Sequence, residues 1–286
     1  MRPFDYMLPQ SLSEASKAWE ASASSARLLA GGTDLTVALR HGKIESDLVI
    51  DLKRVSEFRQ DMSIQEGTLQ VPAATTMTQL IDFLAQNNLF PSLQDAASVV
   101  GSIQIRNRAT LAGNICNASP AADTVPVLAM LGAEVEIYGP NGQRRKSVEA
   151  FIGGNRQIDL AKGEIVTAVH IPLPNQPQGC AFDRITRRRG VDLATANLAC
   201  RVVKDGQAIF ALGAVSSRPL VILDETGALG DPNASPAAKT EAIEALSRKA
   251  TPISDVRASA EYRTAMLCVM AERALKSAHA RLAQVV

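Results

Sequence analysis

Cysteine and histidine are scarce in this chain. Cys116, Cys180, Cys200 and Cys268 stand far apart, no two form a CxxC pair, and His41, His170 and His279 do not gather around them. That scatter argues against a metal or iron–sulfur site held wholly within the chain. Disulfides are not expected in a reducing cytoplasm, so the four cysteines read as buried or half-buried thiols. Charge of one sign is also lacking. The net charge is +1, which gives no field that would gather nucleic acid or an anionic membrane. The opening MRPFDYMLPQ has no apolar core of a signal peptide, and no apolar run reaches the roughly 20 residues of a membrane span. The expectation is a soluble, cytoplasmic protein. Internal repeats and low-complexity tracts are absent. What is present is ordinary globular chemistry, with 286 residues, 46% hydrophobic and 21% charged, enough for two domains or one large one.

The first 60 or so residues read as a small α/β unit. Ser11 and Glu14 have capping-box spacing ahead of Leu12, Ala15 and Trp19. A short apolar strand follows at 27–30, then a helical turn or short helix over 33–40 and a buried strand at 48–51. From about residue 62 the pattern changes. Segments 63–66 and 68–73 are strand-like around Gly67, and Thr76 with Gln79 makes a second capping-box pattern. The stretch 99–124, rich in Gly, Asn, Ser and Pro, reads as a long functional loop. Alternation resumes at 134–138, with Asn141-Gly142 as a hairpin turn. The proline- and glycine-bearing LPNQPQG at 173–179 marks a boundary. Strands at 181–186, 196–203 and 208–215 then precede terminal helices.

Two segments carry chemistry. In Leu28-Leu29-Ala30-Gly31-Gly32-Thr33-Asp34-Leu35 an apolar strand runs straight into paired glycines, a hydroxyl and a carboxylate. A pyrophosphate needs bare backbone N–H groups close by, and glycine permits both the approach and unusual φ values. The competing reading is a plain glycine turn between strand and helix. The second segment, 110–124, supplies Thr110, Gly113, Asn114 and Asp123 with little bulk between them. That set suits phosphates and a polyol, with Asp123 accepting from hydroxyls. Its competing reading is a polar Asx-turn loop. Neither is a GxGxxG fingerprint, so Rossmann-style NAD binding has no support. The run Arg187-Arg188-Arg189 has no aromatic platform beside it and reads as a solvated face or a partner contact, not as a nucleic-acid site. Met266 and Met270 read as helix filler.

AGGTDL at 30–35 and QIRNRATLAGNICNASPAADTVP at 104–126 closely resemble the two flavin loops of the medium subunits of xanthine dehydrogenases and carbon monoxide dehydrogenases. The likeness extends to LVIDLKRV from 48, EIVTAVHIP at 164–172, FDRITRRRGVDLATANLACRV from 182 and RASAEYRTAMLCVM from 257. It spans nearly the whole chain, in order.

The resemblance implies an α+β protein. Residues 1–174 would form a two-part FAD-binding domain of the vanillyl-alcohol-oxidase (PCMH) type, with subdomains of about 1–58 and 59–174. Residues 175–286 would form a small C-terminal domain with a three-stranded antiparallel sheet and helices. FAD would lie between the parts. Leu28, Leu29, Ala30, Gly31, Gly32, Thr33, Asp34 and Leu35 would hold its pyrophosphate from one side. Thr110, Leu111, Ala112, Gly113, Asn114 and Asp123 would meet it from the other. Val100 and Gly101 would line the cofactor, and Ile165 or Val166 would rest by a ring. Arg184 stands where relatives often carry lysine near the isoalloxazine, and arginine presents a planar fork that does not deprotonate. Ala112 stands where many relatives have glycine; a positive φ there would cost alanine on the order of 1 kcal/mol. Partners are implied too: a large subunit with a molybdenum cofactor and a small one with two [2Fe–2S] clusters, in a complex that would be a dimer of heterotrimers. Electrons would pass to NAD, oxygen or another acceptor, and the substrate would be xanthine, hypoxanthine or another N-heterocycle. No residue suggests a general base or nucleophile. The rivals are a self-contained FAD-dependent oxidase of the same flavin-fold superfamily and a non-enzymatic scaffold.

Overall fold

The structure is a computed structural model in which residues 2–22, 25–58 and 60–285 are described. The subdomain boundary expected at 58–59 touches Arg59, which lies outside them. The first unit holds β1 (Asp5–Met7), α1 (Leu12–Ala21), β2 (Arg27–Leu29), α2 (Leu35–Arg40) and β3 (Leu48–Asp51). Its strands form a parallel sheet in the order β1-β3-β2. Ser11 caps α1 by accepting the Glu14 amide at 3.2 Å, while the Glu14 carboxylate reaches the amide of Gln10, one residue short of a reciprocal box. Apolar Val49 and Ile50 of the central strand are buried, as a parallel strand covered on both faces requires.

The second unit begins with β4 (Ser63–Gln65), β5 (Thr68–Pro72) and α3 (Met77–Gln86), the last opened by a complete Thr76–Gln79 capping box. Four helices follow: α4 (Pro91–Ser98), α5 (Ile103–Arg106), α6 (Leu111–Cys116) and α7 (Thr124–Met130). The stretch 99–124, expected as a loop, thus carries two short helices. Ser102 and Thr110 cap them, so the small polar residues that suggested irregular chain are in part helix starts. The unit ends with β6 (Glu134–Gly139), β7 (Gly142–Ser147), α8 (Val148–Phe151), β8 (Ile152–Gly154), β9 (Gln157–Ile158) and β10 (Ile165–Pro172). Its antiparallel sheet runs β4-β5-β10-β6-β7, so the last strand in sequence lies in the middle. Val169 pairs with Val71 and Val135, and Ile171 with Leu69, which lines one face with buried aliphatic side chains. The β6–β7 turn is Pro140-Asn141, one residue earlier than expected. Gly142, with φ of 102°, already pairs with Gly139.

After residues 173–177 the chain forms β11 (Gln178–Ile185), β12 (Ala196–Val203), β13 (Ala208–Gly213), β14 (Leu220–Leu223), α9 (Pro236–Ser247) and α10 (Ala260–Ala283). The C-terminal antiparallel sheet therefore has four strands, where three were expected. The extra strand, four residues long and directly after Pro219, is too short to show alternation but pairs with β13 through Leu220–Leu223. α10 packs along β11 and β12 over a second core that includes Leu198, Phe210, Leu267, Met270 and Leu275. All seven residues of α7 are buried, because α7 packs on α4 and α6 and also on β12 and β13. The cysteines are buried or half-buried thiols, and burial pushes the Cys180 thiol up to about 12. Among the described residues no helix is long and apolar enough to cross a membrane.

Arg263 on α10 is 1% exposed and fastens this helix to the end of the sheet. It donates to the carbonyls of Thr195 and Ala214 and, at 2.6 Å, to Asp255 Oδ1. Burial pushes the Asp255 carboxyl up, but hydrogen bonds from the Arg257 amide and from the Arg257 and Arg263 guanidinium groups outweigh it. Its pKa therefore lies below the ordinary carboxylate value. Asp255→Ala leaves a buried cation without its partner and should lower stability by about 3 kcal/mol at neutral pH, measured by urea unfolding. A depressed carboxylate stabilises above its unfolded pKa of about 3.9, and the contribution is lost as pH falls towards the folded value. The wild-type advantage over the variant should accordingly shrink below about pH 4.

Candidate functional site

The first glycine segment follows directly from the parallel sheet. β2 ends at Leu29, the chain turns through Ala30 to Asp34, and α2 starts at Leu35. Thr36 locks the turn, its amide and hydroxyl both donating to the Gly32 carbonyl at 3.0 and 2.6 Å. Gly32 has φ of 77°, a left-handed conformation that disfavours side chains. The amides of Gly31, Gly32, Thr33 and Asp34 have no hydrogen-bond acceptor among the described residues. Successive free N–H groups in a glycine turn make an anion-binding concavity, so this segment fits a pyrophosphate.

Gly31 also admits a close backbone contact. A Cβ there would stand 2.1 Å from the Arg108 carbonyl oxygen. The missing side chain thus lets the second segment's backbone press against the first.

The second segment is pinned at several points. Arg106 donates to the carbonyls of Val100 and Gly101, both at 3.2 Å, and so shapes a turn in which Gly101 has φ of 54°. Ala109 accepts from the Met77 amide at 2.8 Å. Thr110 is buried and caps α6 by accepting the Gly113 amide at 2.9 Å. Leu111 and Ala112 are buried inside that helix, and Ala112 has no positive φ, so the cost considered for alanine does not arise. Asn114 Oδ1 accepts from Thr124 at 2.7 Å, which leaves its Nδ2 without a partner among the described residues.

Asp123 stands next to Thr124, is 6% exposed, and is already engaged. Arg184 Nη1 donates to its Oδ2 at 2.7 Å and Asn197 Nδ2 to its Oδ1 at 2.9 Å. Burial pushes its carboxyl above the ordinary value, while Arg184 and Asn197 oppose that shift. The acceptor expected for sugar hydroxyls is therefore half of a buried ion pair between α7 and β11. Among the described residues, Arg184 Nε and Nη2 have no protein acceptor. Ile165 and Val166 are buried in β10 within the main core.

The structure thus joins the two loops at Gly31 and Arg108, and ties Asp123 to Arg184 across the units. Sequence reasoning missed Arg106, the Arg108 carbonyl and Asn197. Only Asn197 left a signal, as a lone amide within the apolar strand ANLAC.

Residues 2–174 match the family described as the FAD binding domain in molybdopterin dehydrogenase, and residues 181–278 match the CO dehydrogenase flavoprotein C-terminal domain. The chain is 33% identical over 259 residues to a xanthine dehydrogenase FAD-binding subunit of Escherichia coli O157:H7, covering 88% of each. It is 30% identical over 289 residues to the carbon monoxide dehydrogenase medium chain of Hydrogenophaga pseudoflava, covering 98% of each. A solved quinoline 2-oxidoreductase from Pseudomonas putida 86 superposes with a TM-score of 0.90 at 28% identity, over 98% of this chain and 99% of that one. The chain belongs to the FAD-binding medium-subunit family of the xanthine and carbon monoxide dehydrogenases. It is an oxidoreductase flavin subunit of the molybdenum hydroxylase type, and FAD is its cofactor.

The Gly31 contact gives a direct test. Gly31→Ala forces the two loops apart by driving a Cβ into a carbonyl. FAD should bind roughly tenfold or more weakly, equivalent to about 1.4 kcal/mol. Flavin absorbance of the purified protein should fall while its far-ultraviolet circular dichroism is retained. Full flavin content would mean that the loops do not need this approach.

Proposed function

We propose that this chain is an electron relay within a molybdenum hydroxylase complex. It takes electrons from the [2Fe–2S] clusters of a small partner subunit and passes them to NAD, oxygen or another acceptor. A large partner subunit holds the molybdenum cofactor and the organic substrate, in a cytoplasmic complex that is a dimer of heterotrimers. The observation that carries this reading is the end-to-end likeness to medium chains, over both units of the fold. An N-heterocycle is the substrate class we favour, since xanthine and quinoline, in two relatives' names, are both such rings.

In this reading the four free amides from Gly31 to Asp34 hold the pyrophosphate, with Leu28, Leu29, Ala30 and Leu35 shaping the turn. Val100, Gly101 and the segment from Thr110 to Asn114 form the opposing wall. Asn114 Nδ2 offers a donor there, and Ile165 or Val166 backs a ring. Arg184 supplies a permanent cation whose free N–H groups are available to the cofactor. Bound FAD supplies the redox chemistry, and the protein positions and tunes it.

Heat or acid should release FAD, not FMN, from the purified chain, as mass spectrometry will show. The isolated subunit mixed with a heterocyclic substrate should keep its flavin oxidised, whereas the assembled complex should bleach within the same assay. NADH should reduce the isolated subunit slowly if NAD is the acceptor. Direct reduction of the isolated chain by an organic substrate would replace this reading with that of a self-contained oxidase.

A further inference from the structure

Asn197 occupies β12 among Ala196, Leu198, Ala199 and Cys200, and like them is 0% exposed. An amide so placed destabilises the fold unless both of its ends find partners. Only one end does. Nδ2 donates to Asp123 Oδ1 at 2.9 Å and to the Ala122 carbonyl at 3.4 Å, while Oδ1 has no partner among the described residues. Room for that oxygen exists because its cross-strand neighbour is Gly213, where a Cβ would lie 2.1 Å from Asn197 Oδ1. A side chain is absent at 213 and an acceptor is left bare, and what the arrangement gains is one donor aimed at Asp123.

Asp123 is the link to Arg184. Arg184 and Asn197 are register partners on β11 and β12, and each engages a different oxygen of the same carboxylate. Two donors on two oxygens fix the carboxylate plane, and the fixed carboxylate fixes the planar guanidinium. Taking Arg184 and the two loops as the flavin site proposed above, we propose that Asn197 is a positioning residue: acting through Asp123, it holds the Arg184 guanidinium in place beside the bound flavin. A permanent cation at a set position stabilises added negative charge nearby, so the flavin reduction potential should follow its placement.

The purified flavoprotein tests this with two substitutions and a double-mutant cycle. Asn197→Leu removes the donor without adding charge. It should lower the flavin midpoint potential and weaken FAD on the order of tenfold, the usual effect of losing one hydrogen bond to a charged group. In an Arg184→Met background the same substitution should leave the potential unchanged, because the group it acts through is gone. Asn197→Asp keeps the shape but sets a second carboxyl against Asp123. Asp123 at the start of α7 is the charged group it touches, and Arg184, its register partner on β11, reaches the other oxygen of the same carboxylate. Gly213 from β13 and Pro126 from α7 do not titrate. Two such carboxyls share one proton until the pH rises above the raised pKa of the pair. The potential of Asn197→Asp should therefore match wild type at acid pH, where the shared proton restores a donor, and diverge as pH rises. This arm remains decisive if Asn197→Leu does not fold. An equal shift in both Arg184 backgrounds, or an Asn197→Asp difference that ignores pH, would make Asn197 merely structural and overturn the proposal. Failure of the site reading itself would be seen separately, as an Arg184→Met substitution that alone leaves the flavin midpoint potential unchanged.

Discussion

A carbonyl oxygen pressed against a glycine joins the two glycine-bearing segments. The Arg108 carbonyl lies where a Gly31 side chain would begin, so the backbones of two segments 77 positions apart meet without any side chain between them. Neither segment could hold this position alone. The first is a turn between β2 and α2, and the second hangs from Thr110, Ala109 and the Arg106 clasp on Val100 and Gly101. Because they touch, the segment from Gly31 to Asp34, whose amides have no acceptor among the described residues, is held against the chain that leads into α6.

The opposite side of the site depends on burial. α7 lies between the helices of the flavin-binding unit and the C-terminal sheet, and all of its residues are inaccessible. Its apolar residues supply adhesion that is non-directional. Direction comes from the polar contact at its start, where Asp123 receives Arg184 from one strand and Asn197 from the next. Such a pair contributes little net stability once desolvation is counted, but it specifies one arrangement of the two units. The same logic recurs at the far end of the sheet, where Arg263 joins two strand-end carbonyls to Asp255.

Much of the fold was legible because it follows local rules. The capping pattern at Thr76 and Gln79, the buried run at 48–51 and the helical spacing of the last segment all appear where the sequence places them. Errors fell where local signals are ambiguous. Asn141-Gly142 reads as a turn, yet Pro140 sets the φ of a turn one residue earlier and leaves Gly142 to the strand. Ser102 and Thr110 look like loop residues and are helix caps. The strand at Leu220–Leu223 is too short to alternate visibly and is defined by its pairing with β13. The four cysteines read as buried or half-buried thiols, and the packing gives each such a place.

The sequence by itself determined which segments gather glycine, hydroxyl and amide groups and which strands and helices carry them, because such residues act through local backbone geometry. It could not say which glycine admits another backbone and which takes the left-handed turn, since Gly31 and Gly32 look alike until Arg108 arrives from elsewhere in the chain. Nor could it tell that Asp123 is already paired, because Arg184 and Asn197 come within reach only when β11 and β12 stand against α7. Partners of a charge are settled by three-dimensional proximity in a dry interior, and that is a property of the packed tertiary structure alone.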